Sequence, residues 1–268
     1  MTVFQAIILG IIQGLTEFLP VSSSGHLAIV QGLFGLDKYS LISFDVLVHL
    51  GTLIPVVIVF WEEIFKLVKN PFQKMTLLLI IGTLPAVVGV LILGDAIDVL
   101  FSGGLLLAGA YVITGTLLWL SDKFPEGRKN EKKIAPFDAL FVGIVQMIAI
   151  IPGISRSGST ITASLFRGLD KKTAASFSFL LSIPAILGAF VLHYNDIIYI
   201  LSGSDSAGSI GLAAGFAGFL AAMISGYIAI RFMLKLIRQR NLKVFSYYVF
   251  ALAILLVADH FVLGVVFG

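Results

Sequence analysis

Two short polar stretches in an otherwise apolar chain contain side chains that could perform chemistry. The first stretch holds Glu17, Ser23 and His26, and the second holds Arg156. Ser23 and His26 are three residues apart, so they share one face if this segment is helical. A hydroxyl beside an imidazole, with a carboxylate to orient the ring, is the minimal arrangement of an activated nucleophile. These residues predict a catalytic centre, and the alternatives are a serine helix cap and a structural histidine.

The same stretches predict a pocket for an anion. Arg156 could clamp a phosphoryl group through two parallel hydrogen bonds, whereas the structural alternative is an arginine that only pairs with Glu17. Glu17 could orient a base or bind a divalent cation. Hydroxyl groups accompany them at Ser22, Ser23, Ser24, Ser155, Ser157, Ser159 and Thr160. Phosphate or diphosphate is the natural occupant of a pocket with this composition.

The rest of the chain is too apolar for a soluble enzyme. Of its 268 residues, 58% are hydrophobic and only 12% are charged, and its mean hydropathy is +1.04. Soluble domains carry about 25% charged residues. Apolar runs of about 20 residues, long enough to span a bilayer as helices, occur at Leu41–Trp61, Met75–Gly94, Phe101–Leu120, Thr173–Leu192, Ser206–Ile230 and Val244–Gly268. The chain is predicted to be an all-α polytopic membrane protein with six transmembrane helices, and its lack of cysteine excludes thiolate chemistry.

Two shorter apolar stretches, Thr2–Gly35 and Ile134–Phe166, are interrupted by the polar motifs. If either spanned the membrane alone, it would expose polar backbone to lipid. Each stretch therefore predicts a re-entrant helical hairpin, made of two half-helices that turn back inside the bundle. The second half-helices would direct their N-termini, which carry partial positive charge, at the point where the two hairpins meet.

The distribution of basic residues predicts the orientation in the membrane. Of the 18 lysines and arginines, all except Lys38 and Arg156 lie in four clusters that this arrangement places on one side. The positive-inside rule makes that side cytoplasmic, so both termini face outward. Eight straight spans would also bring the termini together, but they would place Arg156 and Glu17 against lipid. The net charge of +3 comes from the basic residues of these loops. Because the positive-inside rule accounts for them, no nucleic-acid partner is expected.

The chain is similar to itself at an offset of 133 residues. Gly10-Ile-Ile-Gln13 aligns with Gly143-Ile-Val-Gln146, and the serine-rich segment from Ser22 aligns with that from Ser155. A single integral membrane domain over residues 1–268 is therefore predicted to be an inverted tandem repeat, with copies at approximately 1–133 and 134–268. Each copy would hold one hairpin and three spans.

Two further patterns leave alternatives open. Asp45 and His49 are four residues apart on the first span, which favours a local pair and also allows a second layer behind the pocket. A row of small residues suits close helix packing, either within the fold or in a homodimer. This row consists of Gly211, Gly215, Gly218 and Ala222.

The two polar motifs resemble those of a known family. QGLTEFLPVSSSGH at Gln13–His26 and PGISRSGST at Pro152–Thr160 are similar to the two signature motifs of the bacterial undecaprenyl-diphosphate phosphatases associated with bacitracin resistance. The resemblance covers the whole chain in length, segment count and motif placement. The family pattern allows glutamate or glutamine at the position of Gln13.

The resemblance implies removal of the terminal phosphate from undecaprenyl diphosphate at the outer face of the bacterial cytoplasmic membrane, which recycles the lipid carrier for peptidoglycan. It also implies a divalent cation, Mg²⁺ or Ca²⁺, with Glu17 as its candidate ligand. The implied catalytic set is Glu17, Ser23, His26 and Arg156. The motif residues assigned to substrate binding are Gln13, Ser22, Ser24, Gly25, Gly153, Ser155, Ser157 and Thr160.

One step of the mechanism and one rival function stay open from the sequence. Either Ser23 attacks the phosphorus to give a phosphoserine, or it positions an attacking water, with His26 as the proton carrier in both cases. The rival function is a transporter or flippase of a phosphorylated lipid, because inverted repeats with broken helices are the usual architecture of secondary transporters.

Overall fold

The protein is a bundle of α-helices in the computed structural model, which describes residues 1–36, 41–100, 103–124, 127–201, 210–239 and 242–267. Within these ranges the only β-type pairing is an isolated bridge between Lys129 and Leu169. The helices are α1 (Val3–Phe18), α2 (Ser23–Leu33), α3 (Ile42–Val59), α4 (Trp61–Lys69), α5 (Lys74–Leu100), α6 (Gly104–Ser121), α7 (Pro136–Ile148), α8 (Arg156–Phe166), α9 (Lys171–Leu192), α10 (Tyr194–Leu201), α11 (Leu212–Gln239) and α12 (Lys243–Ala258). The predicted all-α class is confirmed.

Six helices of the described residues are long and apolar enough to cross a membrane: α3, α5, α6, α9, α11 and α12. Their apolar segments are 18 to 26 residues long, with mean hydropathies of 1.6 to 2.6. The six predicted spans are therefore confirmed, with ends that shift by a few residues. The predicted span ends at 101–102 and 206–209 lie outside the described residues, as does Lys38.

Both polar motifs interrupt their apolar stretches with a turn. Helix α1 ends before Leu19, which is extended because the next residue is proline, and α2 begins after Ser22, whose φ is 67°. Helix α7 ends at Ile148, and Gly153, with a φ of 92°, precedes the start of α8. In each case the two helices pack against one another. That these hairpins turn back within a membrane stays a prediction.

The two halves of the chain interlock. Helix α1 packs mainly against α11, and the corresponding helix of the second half, α7, packs against α5. Helix α6 packs against α12, and α3 packs against α9. Helices α2 and α8 begin and end at positions 133 residues apart. An inverted tandem repeat would produce this exchange of partners, so the contacts support that proposal.

Small residues allow α1 and α11 to approach closely. A β-carbon added at Gly10 would overlap the carbonyl oxygen of Gly218, and one added at Gly218 would overlap the ring of Phe44. Ala222 is fully buried in the same contact region. The predicted row of small residues is thus used inside the fold at Gly218 and Ala222, and the homodimer gains no support from it.

A buried carboxylate closes the base of the second hairpin. Asp138, at the start of α7, is 1% exposed and accepts hydrogen bonds from Lys129 Nζ at 2.9 Å and from Arg167 Nε at 2.8 Å. The backbone amide of Ala135 donates to the same carboxylate. Since Arg167 directly follows α8, this cluster ties the two ends of the hairpin together.

We expect Asp138→Asn to lower the free energy of unfolding by about 2 kcal/mol, because each hydrogen bond to a charged group contributes about 1.5–3 kcal/mol. Thermal unfolding in detergent is the measurement. Glu131→Gln, at an exposed position in the preceding loop, is the matched control and should unfold like the unmodified protein. Equal unfolding temperatures for the two variants would contradict the importance of this cluster.

Candidate active site

The two interrupted hairpins meet at their turns. The Ser157 hydroxyl, at the start of α8, donates a hydrogen bond of 3.1 Å to the carbonyl oxygen of Leu19 in the first turn. Gly158 lies against Pro20 so closely that an added β-carbon would be 3.1 Å from the proline ring. The fold therefore brings together two motifs that are far apart in the sequence.

A cavity of about 420 Å³ lies at this meeting point. Its polar end is formed by Thr16, Glu17, Ser22, Ser23, Ser24, Ser155, Arg156 and Ser157. Its apolar walls are formed mainly by Leu27, Ala28, Val46, Ala149, Ile150, Ala185, Ile186 and Ala189. Gln31, Asp45, His49 and His193 add polar groups further along α2, α3 and α9. This combination suits a ligand with one charged end and one hydrocarbon end.

Glu17 is the centre of the polar end. Its side chain is 5% exposed, and its Oε1 forms an ion pair with Arg156 Nη2. Its Oε2 accepts hydrogen bonds from Ser23 Oγ at 2.7 Å and from Gln13 Nε2 at 3.0 Å. A carboxylate in this position can take the proton of the serine hydroxyl.

The guanidinium of Arg156 uses two of its donors within the protein. Besides the pair with Glu17, Nη1 lies 3.4 Å from the carbonyl oxygen of Ser178 on α9. The side chain is 17% exposed and still lines the cavity. The pairing that the structural alternative required is present, and the clamp on a phosphoryl group stays a prediction.

His26 does not have the partners that the sequence suggested. Its Nδ1–H donates to the carbonyl oxygen of Ser22 at 2.7 Å, and its Nε2 lies 2.8 Å from the hydroxyl of Tyr248. The prediction that Glu17 orients the ring of His26 is therefore wrong. Ser23 faces α1 and donates to Glu17, whereas His26 faces α6 and α12. Tyr111 on α6 places its hydroxyl 3.1 Å from Nδ1.

The remaining motif residues divide into caps, supports and cavity-lining groups. Ser22 and Ser155 are the N-caps of α2 and α8, where each accepts a hydrogen bond from a backbone amide three residues later. Ser24 is exposed at the cavity. Thr160 bonds to the Ser178 hydroxyl at 2.6 Å. The predicted site residues that do not line the cavity are Gln13, Gly25, His26, Gly153, Ser159 and Thr160.

Asp45 and His49 belong to the cavity rather than to a separate local pair. His49 Nδ1–H donates to the backbone carbonyl of Asp45 at 2.6 Å, and the Asp45 carboxylate accepts from Gln31 Nε2 at 2.7 Å. The other ring nitrogen of His49 lies 3.6 Å from Glu17 Oε2. Of the two alternatives, the second layer behind the pocket describes these contacts better.

Sequence reasoning missed three residues that support the site: Tyr111, Tyr248 and Thr114. Thr114 Oγ1 donates to the carbonyl oxygen of Gly153 at 2.9 Å and accepts from the Ser155 amide at 3.0 Å, which fixes the turn before α8. All three lie within apolar spans, where an isolated hydroxyl forms no pattern with its sequence neighbours.

The described residues of the cavity supply only some of the ligands that a divalent cation needs. Among the described residues, no three His, Asp or Glu side chains come together as a metal-binding group. Glu17 and Asp45 both line the cavity. Because Mg²⁺ is commonly held by one or two carboxylates together with substrate phosphates, these two residues fit a cation that arrives with a phosphorylated ligand.

Comparisons with known proteins show the family of this chain. The sequence model of a family described as bacitracin resistance protein BacA matches residues 6–255. The chain is 50% identical over 254 residues to an undecaprenyl-diphosphatase of Carboxydothermus hydrogenoformans, covering 95% of this chain and 96% of that protein. It is 45% identical to undecaprenyl-diphosphatase 3 of Bacillus cereus over 96% of this chain and 97% of the relative. An undecaprenyl-diphosphatase of Methanobrevibacter smithii is 42% identical, covering 95% and 96% of the two chains.

Proposed function

The chain belongs to the bacitracin resistance protein BacA family, and we propose that it hydrolyses undecaprenyl diphosphate to undecaprenyl phosphate and inorganic phosphate. The observation that carries this proposal is the contact of Ser23 with Glu17, and of Glu17 with Arg156, at the polar end of the cavity. The test is phosphate release from C55 diphosphate by the purified protein in detergent, where transport does not occur. Binding of the lipid without phosphate release would favour the transporter.

The cavity suits only one end of this substrate. Its volume of about 420 Å³ lies within the common range for small-ligand sites, about 300–1,000 Å³. The diphosphate would bind among the serines and Arg156, and the first isoprene units would contact the apolar walls from Ala185 and Ile186. A C55 chain is far longer than the cavity, so most of it would lie in the surrounding lipid.

In the proposed reaction, Ser23 Oγ forms a bond to the terminal phosphorus. The bond from that phosphorus to the bridging oxygen breaks, and undecaprenyl phosphate leaves. The proton of Ser23 passes to Glu17 Oε2, which already accepts its hydrogen bond at 2.7 Å. Glu17 replaces His26 as the expected proton carrier, because the ring nitrogens of His26 contact Ser22 and Tyr248 instead of Ser23. Water then attacks the phosphorus of the phosphoserine, and the bond from phosphorus to Ser23 Oγ breaks. Glu17 returns its proton to Oγ, and inorganic phosphate leaves with the hydrogens of the water. In the alternative route, Ser23 positions the attacking water directly.

Charge stabilisation would supply most of the rate enhancement, because negative charge is spread over the oxygens of the transferring phosphoryl group in the transition state. Arg156 lies beside Ser23 and Glu17, where it can bind the oxygens of the transferring group. Helices α2 and α8 both begin at the cavity, and their N-termini add partial positive charge there. If a Mg²⁺ or Ca²⁺ ion binds at Glu17 and Asp45, it would neutralise part of the diphosphate charge.

We further propose that the site opens to the outer face of the cytoplasmic membrane. The cavity extends along α3 and α9 to Ile42 and His193. Ile42 is at the start of α3, and the basic cluster that starts with Lys66 follows the other end of this helix. His193 follows the end of α9, and the basic cluster that ends with Lys172 is at the start of this helix. By the positive-inside rule, those clusters are cytoplasmic.

Single cysteines introduced into this cysteine-free chain test the orientation. We expect Asn195→Cys, exposed just after α9, to react with an impermeant thiol reagent in intact cells. Lys132→Cys, in the loop before α7, should react only after the membrane is opened, because its loop carries one of the basic clusters. Equal labelling of both variants from outside would contradict this topology.

A further inference from the structure

Tyr248 on α12 contacts the site from outside both motifs. Its hydroxyl oxygen lies 2.8 Å from Nε2 of His26, a residue 222 positions earlier in the chain. The two rings are also stacked, with centroids 5.6 Å apart and an angle of 14° between their planes. Although Tyr248 is 46% exposed, its hydroxyl therefore has a specific partner inside the protein.

The contacts on the other side of the ring settle which nitrogen of His26 carries the hydrogen. The carbonyl oxygen of Ser22 can only accept a hydrogen bond, so Nδ1, at 2.7 Å, is assigned as the donor. The Tyr111 hydroxyl, 3.1 Å from Nδ1, is then a second acceptor for the same hydrogen. In the neutral ring, Nε2 is then the acceptor, and it receives the hydroxyl hydrogen of Tyr248. The ring of Tyr111 packs edge-on against the same imidazole, with centroids 5.8 Å apart. Hydrogen bonds at both ring nitrogens thus fix the tautomer and the orientation of His26.

This arrangement fixes the turn that carries the proposed nucleophile. Ser22, whose carbonyl oxygen His26 holds, is the only non-glycine residue of the described chain with a positive φ. Ser23 follows it directly and must keep its hydroxyl on Glu17. A misplacement of about 1 Å in a reacting group can cost about 10²-fold in rate, so loss of this anchor is expected to reduce turnover.

We propose that Tyr248 is a positioning residue of the reaction: its hydroxyl fixes His26, and His26 in turn fixes the Ser22 carbonyl and the turn that carries Ser23. Tyr248 does not line the cavity, so it acts through His26 and not on the substrate. The proposal rests on the proposed phosphatase function.

Tyr248→Phe is the direct test, because it removes the hydroxyl and keeps the stacked ring. Kcat for C55 diphosphate should fall about 10- to 100-fold, because a misplacement of up to about 1 Å in the reacting group can cost about 10²-fold in rate, while KM changes by less than about twofold. Tyr247→Phe is the matched control, since Tyr247 is 60% exposed and lies near Lys243. It should retain full turnover.

A spectroscopic measurement separates this role from a general structural one. The chain has four histidines, and in protein labelled with ¹⁵N-histidine the ring signals that disappear in His26→Asn identify His26. In Tyr248→Phe the Nε2 signal of His26 should shift because this nitrogen loses the hydroxyl hydrogen of Tyr248, and the signals of the other histidines should stay unchanged. Unshifted His26 signals, or full kcat in Tyr248→Phe, would overturn the proposal. An inactive unmodified protein would instead overturn the proposed function, and the histidine signals would still decide whether Tyr248 fixes the ring.

Discussion

Ser23→Ala is expected to lower phosphate release from C55 diphosphate by about 10³-fold or more, the largest effect of any single substitution in this chain. The hydroxyl of Ser23 lines the cavity and donates to Glu17 Oε2 at 2.7 Å. Removing it takes away the attacking oxygen, and loss of a nucleophile leaves only the residual catalysis of the surrounding groups. Initial rates with purified protein in detergent are the measurement.

Two further observations distinguish covalent attack by Ser23 from attack by a water that Ser23 positions. A phosphoserine trapped on Ser23 during turnover would establish covalent attack. If Ser23→Ala keeps more than about a tenth of the activity, the covalent route is wrong and a water must be the nucleophile. Ser43→Ala is the matched control, because Ser43 is half-buried on α3 but does not line the cavity, and it should release phosphate at the unmodified rate.

Arg156→Lys is expected to lower turnover about 10²- to 10³-fold, with little change in the unfolding temperature. The guanidinium reaches Glu17 with Nη2 and the Ser178 carbonyl with Nη1, and its planar fork matches the geometry of a phosphoryl group. A lysine ammonium keeps the charge but not this geometry. Removing one preorganised donor to a transition state typically costs about 2.7–4 kcal/mol, which corresponds to this loss of rate.

The comparison with a second arginine tests whether the effect belongs to the site. Arg167 follows the same helix and pairs with Asp138 away from the cavity, so Arg167→Lys should leave turnover unchanged. If Arg156→Lys retains more than about a third of the activity, Arg156 only neutralises Glu17. If it is inactive because it unfolds at a lower temperature, its role is structural. Either outcome contradicts the phosphate clamp.

The features predicted correctly from the sequence are those that depend on local composition. Lipid requires long apolar helices, so the six spans follow from hydropathy alone, and proline with serine-rich segments predicts where the two shorter stretches break. Glu17 and Arg156 stand out because charged side chains are rare in such surroundings. Their approach to one another follows once the two breaks are brought together.

The partner of each polar side chain was harder to predict, because it depends on helices from distant parts of the chain. Ser23 and His26 lie on the same helix, but one contacts α1 and the other contacts α6 and α12. A spacing of three residues gives the approximate face and does not distinguish between these neighbours. Tyr248 has no sequence pattern that marks it, since tyrosines are common near the ends of membrane spans.

The interlocked halves have a consequence for the order in which the protein is made. The α1 segment is synthesised long before its main packing partner, α11, as the contact between Gly10 and Ser225, 215 residues apart, illustrates. Contacts of such high sequence separation form slowly and leave early segments without partners during synthesis. Glu17 is carried by α1, so its final position is reached only after α11 has left the ribosome. A chain truncated before α11 would therefore contain both motifs and still lack an assembled site.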